Sequence, residues 1–390
     1  MDSEPRQRLY DTQFWLLCAS NFLFTASFNM IMPELPGYLR SLGGAQYIGL
    51  IVSLFTLTAG ISRPFSGKLT DTVGRVPIMA FGSLVCFVCG LLYPIVSSVA
   101  GFLFLRLIHG FSTGFKPTAT SAYVADLIPE NRRGEALGTL GIAQSIGMSG
   151  GPPLGSYLAQ WFGLDVMFYV SSAFALLSIL ILWRMKETLP DRERFRPRHL
   201  VLEKSDLFEP KVLATFIVML LISYSYGAVV TLAPDLSDHL GLSNKGLFFA
   251  VYTAAALLIR LVASKSSDRY GRVRVLRISA LALVVSLVLI GAADSIATLL
   301  VGAVLFGLST GMNSPTLTAW TVDLSDEDNR GKAIATMYIA LELGIGLGAY
   351  TSGYLYAGNP ANFAINFYLS ALIAAAALGY MTFRKSAAFV

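Results

Sequence analysis

Charge is scarce in this chain: 14% of its 390 residues are Asp, Glu, Lys or Arg, against roughly 25% in an ordinary soluble domain. Hydrophobic residues make up 54%, and the mean hydropathy is +0.62. So few charges cannot cover a globular surface of this size, which excludes a soluble domain and leaves lipid as the solvent for most of the chain. Period-two alternation is also missing from long apolar runs such as Ile278–Ile290 and Leu369–Leu378. That excludes a membrane barrel, and lipid offers free backbone groups no partner, so the spans must be helices. Three histidines (His109, His199, His239) are scattered, and three cysteines (Cys18, Cys86, Cys89) sit inside apolar runs. They make no metal-ligand cluster, and the Cys86–Cys89 spacing reads as packing. There is no phosphate-cradling loop, so no nucleotide, cofactor or nucleic-acid partner is expected, and an ion gradient is left as the energy source. The polar start, Met1 to Tyr10, does not resemble a cleavable leader. The absence of any Asn-x-Ser/Thr sequon agrees with a bacterial cytoplasmic membrane.

What the chain does have is apolar length. A bilayer core about 30 Å thick needs roughly 20 apolar residues per helix. Such stretches fall at 13–39, 46–66, 77–97, 99–123, 136–160 and 165–184, then at 211–235, 244–263, 276–293, 296–321, 333–356 and 362–383. The spacing predicts an all-α membrane protein with twelve transmembrane helices. Residues 1–185 and 211–390 form two six-helix domains, joined by a charged, Pro-rich linker at 186–210. Twenty-three of the 29 basic residues fall in the termini, the linker and alternate loops, and only Arg40 and Lys245 fall in the opposite loops. Basic residues mark the cytoplasmic side, so both termini and the linker are expected there. The remaining four, Arg63, Arg106, Lys116 and Arg260, lie within spans or at their ends.

Shifted by 197, the sequence matches itself. Arg63, Asp71, Gly74 and Arg75 fall on Arg260, Asp268, Gly271 and Arg272. Gly110 and Gly114 fall on Gly307 and Gly311, Asp126 on Asp323, and Arg133 on Arg330. Six spans, an even number, separate equivalent points. The halves are therefore parallel repeats, a transporter plan in which substrate binds at their interface near the midplane.

The loop after the second span, GKLTDTVGRVP (Gly67 to Pro77), resembles the loop signature of the major facilitator superfamily, and SKSSDRYGRVR is a degenerate copy after the eighth. RLIHGFSTG in the fourth span is similar to an Arg-x-x-Gln-Gly motif of proton-coupled members, with His109 in place of Gln. GMSGGPPLG in the fifth resembles the Gly-Pro motif of drug:proton antiporters, and PELPGYL the close of the first span in twelve-span members. The resemblance covers essentially the whole chain. It implies a cytoplasmic latch built on Gly67, Asp71, Gly74, Arg75, Arg63, Asp126 and Arg133, with Asp268, Arg272 and Arg260 in the second half. It also implies a fifth span (Gly147, Gly151, Pro152, Gly155) packed at the domain interface, and a cavity lined by the first, fourth, seventh and tenth spans.

The residues add their own expectations. Gly67 and Gly74 permit a tight turn, and Asp71 can cap a neighbouring helix N-terminus. Charge at membrane depth is costly and marks function. Arg106, His109 and Lys116 share the fourth span, and the seven-residue spacing of His109 and Lys116 puts them on one face, which the family would turn to the pathway. Lys116 reads alternatively as snorkelling to the cytoplasmic surface. Glu342 stands near mid-depth in the eleventh span, where a carboxylate stays charged only against a compensating cation, the balance a proton site uses. Its repeat twin is Ser145. Glu34 lies near the outer surface between Pro33 and Pro36, with Arg106 as a possible partner. Asn21, Asn29, Tyr224, Tyr226 and Asn313 are further cavity candidates.

These features point to a secondary transporter that exports a small molecule by proton antiport and alternating access. Glu342, Glu34, Arg106 and His109 would carry the coupling, with sodium an open alternative to the proton. Uptake or export of a sugar, organic anion, siderophore or lipid-linked glycan by symport or uniport is the second reading. A sensor or membrane enzyme on the same scaffold is the remote one, and no catalytic residue is expected.

Overall fold

The computed structural model describes residues 11–129, 133–201, 208–325 and 330–383. The first half holds α1 (Thr12–Ile31), α2 (Leu35–Ser41), α3 (Ile48–Thr72), α4 (Arg75–Leu92), α5 (Val99–Leu127), α6 (Arg133–Phe162) and α7 (Leu164–Trp183). The second holds α8 (Leu213–His239), α9 (Gly246–Tyr270), α10 (Arg272–Gly291), α11 (Ile296–Leu324), α12 (Arg330–Tyr356) and α13 (Phe363–Phe383). α1 and α2 are one span broken at Met32–Glu34, where Pro33 has no N–H to give the ladder and Pro36 sits in the first turn of α2. Counted so, the fold is a twelve-span bundle of two six-span halves.

Among the described residues, nine helices are long and apolar enough to cross a membrane. α5, which carries Arg106 and Lys116, and α6, which carries the glycine-rich motif, fall short of that measure.

The 197-residue repeat is visible in local chemistry. Ser98 caps α5 by accepting from the Gly101 N–H, and Ser295 caps α11 by accepting from the Thr298 N–H. Gly74 (φ +133°) and Gly271 (φ +89°) turn the chain between paired helices in a backbone region that favours glycine. Gly67 takes no part in that turn: it lies inside α3 with open space around it.

Close packing uses small residues. Gly147, Gly151 and Gly155 form a stripe on α6 against α1; a Cβ at Gly147 or Gly151 would lie 2.8 Å from the carbonyl oxygen of Phe22 or Ala26. Gly344 and Gly348 repeat the stripe on α12 against α8. Pro152 and Pro153 do not break α6, which runs unbroken to Phe162. The halves meet along two seams, α3 against α12 and α6 against α9. Gly49 packs on the Ala349 carbonyl in the first, and Gly246 packs on Pro152 in the second. Both contacts lie at the end of the bundle away from the linker, here the far end.

Candidate functional site

The centre of the α3–α12 seam holds an ion pair between the halves. Arg63 donates to Glu342 Oε1 through Nη2 at 2.6 Å and through Nε at 3.2 Å. Both side chains are largely enclosed, 16% and 10% exposed. Arg63 also lies over the Tyr338 ring, 4.7 Å from its centroid. Gly60 leaves room for the Glu342 side chain, since a Cβ there would meet Glu342 Cβ at 3.2 Å. Glu342 stands near the midpoint of α12.

Further contacts close the far end. Arg40, on α2, forms an ion pair with Asp235, on α8, whose side chain is 3% exposed. Gln160 donates to the Ser243 carbonyl at 2.5 Å, and Asn244 donates to the Pro153 carbonyl at 3.1 Å. Ser156 donates to Glu34 at 2.7 Å while accepting from the Gly246 N–H at 3.2 Å. A vestibule of about 430 Å³ sits over these contacts, lined by Glu34, Tyr38, Gln160, Asp238 and Lys245.

Glu34 and Arg106 do not meet. Arg106 donates to the Ile51 carbonyl (2.8 Å) and to Tyr93 Oη (3.3 Å), and stacks on Phe55. These groups satisfy the guanidinium inside the first half, while Glu34 turns to Ser156. His109 is buried on the same side, with Cys86 Sγ 3.4 Å from Nε2 and Tyr93 Oη 3.2 Å from Nδ1. Lys116 is fully buried and donates to Ser20 and Ser83 at 2.9 Å and to Ser178 at 2.5 Å, with Phe24 against its ammonium. The face shared by His109 and Lys116 therefore points into the first half, away from any pathway between the halves, and Lys116 does not snorkel. Spacing fixed the relative phase of these residues, but packing against serines of α1, α4 and α7 fixed where the face points. Asn313, the repeat twin of Lys116, likewise turns inward, to Ser279 and Ser309.

The other cavity candidates scatter. Asn21 is buried on α1, Asn29 donates to its own helix at the Thr25 carbonyl, and Tyr224 bonds Thr351 at 2.5 Å. Tyr226 meets Tyr252, hydroxyl to hydroxyl, at 3.3 Å. The three cysteines are buried free thiols.

At the linker end, Arg75 joins Asp71 (2.9 Å) and Asp126 (3.1 Å), and Arg272 joins Asp323 (2.9 Å) at the equivalent place. Asp71 caps no helix: its side chain is 72% exposed. Glu187, at the start of the linker, does that work, accepting from the Arg75 and Val76 N–H groups at 3.0 Å. It reaches the α4 N-terminus from outside, whereas Asp71, four residues before Arg75, is held by the guanidinium. Arg6, Arg8, Arg132, Lys204, Arg384 and Lys385 lie outside the described residues, as do the side chains of Arg133, Lys265, Asp268, Arg330 and Lys332.

The linker lies along the first half, with the Glu193 N–H donating to the Thr72 carbonyl and Lys68 to the Val201 carbonyl. Hydrogen bonds from Arg198 and His199 hold the Glu193 carboxyl below the usual carboxylate range. A lowered value means the contact is fully formed above about pH 4 and is lost as pH falls through the lowered value. Glu193→Gln should reproduce the acid state at neutral pH, speeding tryptic cleavage at Arg192–Arg198 severalfold; unchanged cleavage would show that the carboxylate does not hold the segment.

Sequence reasoning missed Asp235, Ser156, Tyr338 and Glu187. Asp235 carried a signal, a lone carboxylate closing an apolar run. Gly49 and Gly246 carried another, being exactly one repeat apart.

The profile of the Major Facilitator Superfamily matches residues 17–259 and again 215–388. Over 287 residues, 68% of this chain and 68% of the relative, the sequence is 32% identical to the multidrug resistance protein MdtG of Citrobacter koseri. Among solved structures, the nucleoside transporter NupG superposes with a TM-score of 0.79 at 13% identity, covering 96% of this chain and 100% of that one. The human organic anion transporter MFSD10 gives 0.74 at 20% identity, covering 97% and 100%. With its repeated loop signature, its two six-span halves and an interface bridged at mid-depth by Arg63 and Glu342, the chain belongs to the major facilitator superfamily of membrane transporters.

Proposed function

We propose that the protein exports small organic molecules across the bacterial inner membrane in exchange for protons, with both termini and the linker cytoplasmic. The observation that carries this reading is the Arg63–Glu342 pair, a carboxylate at mid-depth bridging the two halves. A proton on Glu342 removes the charge that holds Arg63 and loosens the seam from its centre. Loss of that proton restores the pair. With the far end closed by the Arg40–Asp235 pair and the Ser156 bridge, this conformation is read as the one shut to the outside. In the cycle, Glu342 discharges its proton inward, substrate enters from the cytoplasm, and the halves rock to open outward, where Glu342 is protonated again. The substrate leaves chemically unchanged, so the chain is a carrier and not an enzyme. The multidrug resistance relatives favour export over uptake.

The test uses acid-loaded inverted vesicles. Addition of a substrate from a panel of lipophilic cations, sugars and organic anions should make the lumen more alkaline. Substrate movement without any proton movement would replace antiport with sodium coupling or uniport.

A further inference from the structure

Arg63 and Arg260 occupy the same place in the two repeats, and the helices across from them are also equivalent: α12 faces α3 as α6 faces α9. Gly49 on Ala349 and Gly246 on Pro152 are themselves related by the repeat, so the two seams share one register at the far end. Carried inward along that register, the residues that hold Arg63, Glu342 and Tyr338, correspond to Ser145 and Gly141. The carboxylate and the aromatic face are thus both missing where Arg260 would use them.

Arg260 has taken no substitute. Among the described residues its guanidinium has no hydrogen bond or ion pair, and its Nε is buried without an acceptor. The α6 backbone opposite is bare: a Cβ at Gly138 or Gly141 would meet nothing within 4 Å. Unmet buried donors are costly, and a cation at membrane depth is ordinarily paired. A guanidinium presents a fork that fits a carboxylate through two parallel hydrogen bonds. Two turns towards the far end, Tyr252 and its partner Tyr226 offer aromatic surface for the apolar body of a ligand.

We propose that Arg260 is the anion-binding residue of the transport pathway, receiving the carboxylate of an amphipathic organic acid where Arg63 receives Glu342. This rests on the transporter reading but not on proton coupling. It removes Arg260 from the latch and makes it a specificity residue of the second seam.

The experiment is equilibrium binding to the purified full-length protein in nanodiscs, without any gradient. The probes are labelled indomethacin and its primary amide, nearly equal in shape and differing in charge. Wild type should bind the acid at least about tenfold tighter than the amide, the scale of one charge-assisted contact. Arg260→Gln should abolish that preference by weakening the acid alone, and Arg260→Lys should keep part of it. Ser145→Glu, which retains Arg260 but fills its seat with a carboxylate, should also abolish it, so a poorly folding Arg260 variant does not spoil the test. Absence of an acid preference in wild type, its survival in Arg260→Gln or Ser145→Glu, or equal weakening of both probes overturns the proposal. An intact acid preference beside a negative vesicle experiment would sink proton coupling alone.

Discussion

Glu342→Gln is expected to abolish substrate-driven proton movement, by at least about 100-fold, while the protein still folds and binds substrate. Glutamine keeps the shape and one hydrogen bond to Arg63 but cannot exchange a proton. The opposite half of the pair behaves differently. Arg63→Gln leaves a buried carboxylate without its cation, and breaking one side of such a pair costs about 3 kcal/mol or more. Arg63→Gln should therefore lower the melting temperature more than Glu342→Gln does, and the double variant should recover most of the loss. A proton signal that survives Glu342→Gln would make the pair structural and shift the coupling to Glu34. If the double variant were no more stable than Arg63→Gln, the two residues would not be coupled at all.

Breaking the Arg40–Asp235 pair should shift the protein outward-open. This pair ties α2 to α8 across the far end, and Asp235 is almost wholly enclosed. Truncating one partner of a buried, hydrogen-bonded charge pair costs about 2–5 kcal/mol. Even about 2 kcal/mol, spent only in the closed state, changes the opening equilibrium roughly 30-fold. Ser156 is 2% exposed at this seal, and the natural cysteines Cys18, Cys86 and Cys89 are buried. A Ser156→Cys reporter can therefore be read with a membrane-impermeant maleimide added outside intact cells. Asp235→Asn should raise its labelling rate by about 10- to 100-fold, and the exchange Arg40→Asp with Asp235→Arg should bring it back down. Labelling that ignores both changes would mean that the remaining contacts, the packed glycines Gly49 and Gly246 among them, close the far end without the ion pair.

The loops between α3 and α4 and between α9 and α10 show how far a repeat can be read from sequence. Arg75 with Asp126 and Arg272 with Asp323 are 51 residues apart in each half and pair in the structure as their shared register implies. The same register appears in the Ser98 and Ser295 caps, the Gly74 and Gly271 turns and the glycine stripes of α6 and α12. Each depends on short-range backbone chemistry, which a duplicated sequence duplicates.

The partners of the mid-membrane charges were not legible in that way. Nothing local joins Glu342 to Arg63, 279 residues away, or Arg40 to Asp235, 195 away. Nor did the seven-residue spacing of His109 and Lys116 say which way their face would turn. In water, an amphipathic helix buries its apolar side, and the sequence then reveals its orientation. In lipid, the surroundings and the protein interior are both apolar, so that signal fades and close packing of small and polar groups decides the rotation. By itself, therefore, the sequence determined the lipid environment, the twelve helices, the parallel repeat and the loops that turn it, because these follow from composition and local backbone chemistry. Only the tertiary structure decided that Lys116 is satisfied inside one half, that Glu342 bridges two, and that Arg260 Nε is buried without an acceptor among the described residues, because those outcomes depend on how each helix is rotated against its neighbours.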